Sequence, residues 1–72
     1  MTQNELISQF NALLCEDDIP QPNAEHEVLF MLLEDDKATI SKVIQKLIQL
    51  KQDFELEYCD DGYVEIQVKH LA

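Results

Sequence analysis

The chain's only glycine, Gly62, stands between two stretches of alternating apolar and polar residues, which restricts how the C-terminal part can fold. Phe54, Leu56 and Tyr58 alternate with Glu55 and Glu57. Val64, Ile66 and Val68 alternate with Glu65 and Gln67. A period of two is the strand period, so this segment reads as a β-hairpin. A two-residue turn at Asp61-Gly62 would set Glu57 opposite Ile66 and mix acids with apolar side chains on one face, so that register fails. A three-residue loop, Asp60-Asp61-Gly62, with the glycine in the left-handed position, pairs Tyr58 with Val64, Leu56 with Ile66 and Phe54 with Val68. One face is then apolar. The other carries Glu55 opposite Gln67, Glu57 opposite Glu65, Cys59 opposite Tyr63 and Asp53 opposite Lys69. Like charges directly opposed cost up to about 1 kcal/mol.

A two-stranded hairpin is not stable alone, so its apolar face needs a cover. The rest of the chain offers helices. Leu6, Ile7, Phe10, Leu13 and Leu14 recur at helical spacing, and Thr2 with Glu5 fits a capping box, predicting a helix over residues 2–15. Pro20 and Pro22 interrupt the next stretch, which reads as a loop. Asn23 can cap a helix over residues 24–34. The run Val28 to Leu33 is apolar at every position, however, so a strand buried on both faces is the alternative. Asp35 or Asp36 caps a third helix reaching about Gln52, with Ile40, Val43, Ile44, Leu47, Ile48 and Leu50 on one stripe and Lys42 and Lys46 opposite. The expected fold is α+β, three helices packed on a C-terminal two-stranded antiparallel hairpin. If the second helix is a strand instead, the order is αβαββ.

Seventy-two residues make one small acidic domain, residues 1–72, which buries only about 60–65% of the surface its unfolded chain exposes. Small domains often recruit a staple, and a homodimer is the one this sequence most readily permits. Cys15 and Cys59 are isolated, with no framework spacing. No basic and apolar leader opens the chain, and its longest apolar run is far short of a membrane span, so a cytoplasmic location is expected and no membrane partner.

The net charge is −10, and it is segregated. Four of the five bases (Lys37, Lys42, Lys46 and Lys51) fall in an acid-free stretch, while fifteen acids crowd the remainder. Such a chain repels nucleic acid and anionic lipid on average and attracts cationic surfaces. No catalytic, cofactor or metal motif accompanies the charge. His26 with Glu25 and Glu27 does not converge on a metal, because neighbours in sequence do not share a helix face. No glycine-rich loop is present to hold phosphate. Cys59 lies among acids that raise its pKa and blunt it as a nucleophile. The expected protein is not an enzyme and carries no cofactor or metal.

What remains is binding. The first expectation is a regulator or inhibitor that engages a basic protein surface, including one shaped to hold nucleic acid, through Glu55, Glu57, Asp60, Asp61, Tyr63 and Glu65. An aromatic anchor amid complementary charge suits such an interface. The second is a winged-helix-like nucleic-acid-binding module using Lys42 and Lys46. The absence of arginine and the acids on the wing argue against it. The third is a structural subunit of a homo-oligomer, its lysine helix docked on the acids of another copy.

Overall fold

The computed structural model describes residues 1–69 and Leu71. In chain order the elements are helix α1 (Gln3–Ser8), a 3-10 turn (Glu16–Asp18), strand β1 (Val28–Leu33), helix α2 (Lys37–Gln49) and strands β2 (Glu55–Tyr58) and β3 (Tyr63–Val68). The strands form one antiparallel sheet in the order β1-β3-β2, so the last strand of the chain is the central one.

The hairpin register is the one that the alternation demands: Tyr58 pairs with Val64, Leu56 with Ile66, Glu57 with Glu65 and Glu55 with Gln67. The Cys59 N–H donates to the Tyr63 carbonyl at 2.8 Å and closes the three-residue loop. Gly62 takes φ +86°, where a side chain would be strained. Phe54 lies just before β2 and packs against the core rather than joining the ladder.

The three-helix expectation is overturned at residues 24–34. Val28–Leu33 is a strand paired with β3, Val28 opposite Val68, Phe30 opposite Ile66 and Leu32 opposite Val64. A two-stranded hairpin is marginal in water, and β1 supplies the third strand that turns β3 into a central one. That tertiary gain outweighs the helix preference of leucine and methionine. The strand is not buried on both faces, since only alternate residues are covered.

Asn23 does use its side chain as a cap would, but no helix follows. Its Oδ1 accepts from the Glu25 and Glu27 N–H groups, and its amide donates to the Glu27 carbonyl. His26 then takes a left-handed φ of 56°, which turns the chain into β1. The Gln3 side chain clips this loop from α1, donating to the Asn23 carbonyl at 3.0 Å and accepting from its N–H at 2.8 Å. Gln3 is the one buried polar side chain among the described residues, and both ends of its amide are used.

Helix α1 begins at the expected capping box, with Thr2 and Glu5 bonded reciprocally. Its regular part ends at Ser8, not near residue 15, because the following N–H groups of Gln9, Phe10 and Asn11 reach back only three residues. The chain nevertheless continues in turns that keep Leu6, Phe10 and Leu14 on one buried side.

Helix α2 is capped by Asp36, whose carboxylate accepts from the Thr39 N–H and hydroxyl. Those bonds hold the Asp36 carboxyl below the usual carboxylate range. Val43 and Leu47 are buried, whereas Ile48, placed on the apolar stripe by spacing alone, is 63% exposed. The helix ends in a Schellman motif, Lys51 N–H to Ile48 carbonyl and Gln52 N–H to Leu47 carbonyl, both 3.0 Å. Lys51 occupies the left-handed position at φ 58°, where glycine is favoured. Replacing Lys51 with Gly should therefore raise stability by about 0.5–1 kcal/mol in urea unfolding, by relieving the left-handed penalty.

The two helices contribute to one core with the inward residues of β1 and β3. Phe10 and Phe30 meet edge to face in it, ring centroids 4.8 Å apart. Both helices thus cover the same face of the sheet. Among the described residues, no helix is long and apolar enough to cross a membrane.

Candidate protein-binding face

The helices leave the opposite face of the sheet open. Alternation sends Leu29, Met31 and Leu33 of β1, Tyr63, Glu65 and Gln67 of β3, and Glu55 and Glu57 of β2 to that side. The pairing sets them in rows: Leu29-Gln67-Glu55, Met31-Glu65-Glu57 and Leu33 beside Tyr63. Leu29, Met31 and Leu33 are 37%, 44% and 56% exposed. The face therefore grades from an apolar column on β1 to an acidic column on β2, with the mixed residues of β3 between.

The arrangement brings together four of the six residues singled out from the sequence: Glu55, Glu57, Glu65 and Tyr63 share this face. Asp60 and Asp61 stand in the exposed turn at its end. Glu57 lies directly opposite Glu65. The Glu65 carboxylate accepts from the Gln67 side-chain amide. Lys69 forms an ion pair with Glu55 at 3.7 Å, and this is the only salt bridge among the described residues. Both its partners are well exposed, so the bridge adds little to stability. Glu57 and Glu65 have no cation among the described residues to offset them.

Cys59 reports the field of these acids. Its thiol pKa is raised, first by burial and then by Asp61, Glu65, Glu57 and Asp60 in decreasing order. Both cysteines are free thiols, Cys15 exposed and Cys59 half-buried. At pH 8 iodoacetamide should alkylate Cys15 first, and intact-mass spectra over time should show Cys59 lagging because less of it is thiolate.

The apolar column is the part of the face that sequence reasoning missed. Leu29, Met31 and Leu33 sit in a run with no period, so nothing local separates them from the buried Val28, Phe30 and Leu32. Tyr63 is also less exposed than its neighbour in the hairpin: Tyr58, at the open edge, reaches 64%.

Lys42 and Lys46 lie elsewhere, on the side of α2 away from the core, where they line a shallow groove of about 410 Å³ with Leu13, Gln45 and Gln49. The outline that suggested a winged helix, three helices before a hairpin, is absent, since β1 replaces the middle helix. A second shallow cleft, of about 720 Å³, lies where α2 gives way to β2 and includes Ile48, Phe54 and Lys69.

Fold and face together define a small α+β domain with an uncovered sheet face, half apolar and half acidic. No protein-family model, curated protein or solved structure matches the chain.

Proposed function

We infer that this is a non-enzymatic binding module, a cytoplasmic regulator or inhibitor whose open sheet face docks on a basic protein surface. One observation carries the reading. The register assembles Glu55, Glu57 and Glu65 on a solvent-facing sheet beside exposed Leu29, Met31, Leu33 and Tyr63. Acids alone are usually a solvated face. Acids contiguous with an exposed apolar column are the combination that interfaces use, apolar contact for burial and charge for steering and register. The partner that fits is cationic with apolar residues among its charges. A surface that ordinarily grips phosphates meets that description, because evenly spaced carboxylates can occupy the same cationic positions. Two unpaired thiols accord with a reducing compartment.

The test is charge reversal on the face. Wild-type protein and the Glu57→Lys/Glu65→Lys double variant are immobilised, exposed to lysate of the native host at low salt, and eluted with a salt gradient. A specific partner should be retained by the wild type, elute with salt, and bind the variant about 30-fold or more weakly when purified and titrated. Circular dichroism should show the variant folded, since two opposed lysines cost the sheet about what the opposed Glu57 and Glu65 already cost and neither position reaches the core. Equal retention and equal salt dependence for the two proteins would sink the reading.

A further inference from the structure

We propose that the open edge of β2 takes an extended segment of the partner protein as a fourth strand, one whose side chains alternate basic and apolar. The proposal rests on the reading of the acids as partner-facing and specifies how the partner engages them.

The backbone supplies the first argument. In an antiparallel pair, alternate residues direct their N–H and C=O groups toward the neighbouring strand. The Cys59 N–H reaches the Tyr63 carbonyl, so Cys59, Glu57 and Glu55 face β3, and Leu56 and Tyr58 aim their N–H and C=O groups outward. Among the described residues no side chain bonds to those groups, and β2 packs chiefly along β3. The other edge of the sheet differs, since the 3-10 turn packs beside β1.

The side chains supply the second. Leu56 and Tyr58 point to the helix-covered side and pair with buried Val64 and Ile66, yet both are exposed. The helices therefore do not extend over β2, and an incoming strand would find apolar partners at that level. On the opposite side it would find Glu55 and Glu57. Residues directly opposite one another share a face, so a partner residue bonded to Leu56 or Tyr58 presents an apolar side chain inward, and its neighbours present basic ones to the glutamates.

The same glutamates exclude a second copy of this chain. Pairing β2 with itself about a two-fold axis sets Glu57 opposite Glu57 or Glu55 opposite Glu57 in the central registers, a like-charge penalty on each side. A basic strand reverses that sign. The acids thus act as a filter on an edge that is otherwise open.

The experiment uses three acetylated, amidated eight-residue peptides of alternating lysine and valine: unmodified, N-methylated at the valine amides, and N-methylated at the lysine amides. The valine amides are the ones that would face β2, and the two methylated peptides have equal charge and composition. The unmodified and lysine-methylated peptides should bind the full chain, and the valine-methylated one about tenfold or more weakly. Amide hydrogen exchange by NMR should show Leu56 and Tyr58 becoming protected in the complex. Equal affinity for the two methylated peptides overturns strand addition, and so does binding that leaves those amides unprotected. If the three peptides bind equally but lose affinity for the Glu57→Lys/Glu65→Lys variant, the acidic-face reading stands and the fourth strand falls. If no peptide binds, the fourth strand is likewise rejected, and the acidic face is judged by its natural partner's response to charge reversal.

Discussion

Phe30→Ala is expected to lower the unfolding free energy by about 3–5 kcal/mol, the cost of truncating a fully buried aromatic. Phe30 is at the middle of β1, opposite Ile66, and closes edge to face on Phe10, so its removal leaves a cavity bounded by both sheet and helix. An aromatic pair of this geometry adds about 0.5–1.5 kcal/mol beyond burial, and that is lost as well. A chain of this length has about 4–11 kcal/mol of stability in total, so the substitution removes much or all of it. Urea unfolding followed by far-UV circular dichroism should show the midpoint collapsing toward zero denaturant. Phe30→Leu, which keeps most of the volume, should cost far less. A Phe30→Ala midpoint within experimental error of wild type would mean that β1 does not carry the core.

Gln3→Ala should also be strongly destabilising, although it deletes little apolar surface. The Gln3 amide is the sole side-chain partner of both the N–H and the carbonyl of Asn23. Truncation leaves two part-buried backbone groups seeking water, at about 1–3 kcal/mol for each that fails to find it. We expect about 2 kcal/mol in urea unfolding, with faster hydrogen exchange at Asn23 and at Glu27. Gln3→Glu should not rescue it. A carboxylate can accept from the Asn23 N–H but cannot donate to its carbonyl, and it places a charge in a buried site. The consequence reaches the binding face, because the Asn23 loop with left-handed His26 delivers the chain into β1.

The hairpin was legible in its register from Glu55 to Tyr58, although Phe54 falls outside the ladder. Its strands alternate, and a single glycine restricts the loop to the register that separates Glu57 and Glu65 from Leu56 and Ile66. The acidic half of the candidate face followed directly from that register. The cap of α2 was legible to within one residue, Asp35 or Asp36, since an acid ahead of an apolar stripe is a local signal for a local structure, and the Thr39 bonds select Asp36. Val28 to Leu33 was not legible. Every residue there is apolar, so the pattern lacks the period that distinguishes strand from helix, and the decision is made by β3, thirty-odd residues away. The apolar half of the face was hidden for the same reason. Asn23 misled because the bonds that cap a helix are the bonds that close an Asx turn, and only the left-handed backbone at His26 tells them apart. Ile48 shows the opposite failure: its helical spacing is right, but the sheet does not extend beneath it.

The strand order has a consequence for how the molecule comes into being. Because β3 is central and follows both of its neighbours in the chain, neither β1 nor β2 has a partner until Tyr63–Val68 has been synthesised. The β2-β3 hairpin closes over a three-residue loop and can form quickly, whereas β1 must be recruited across the whole of α2. A ribosome-bound chain therefore holds Val28–Leu33 unpaired until translation is nearly through this region.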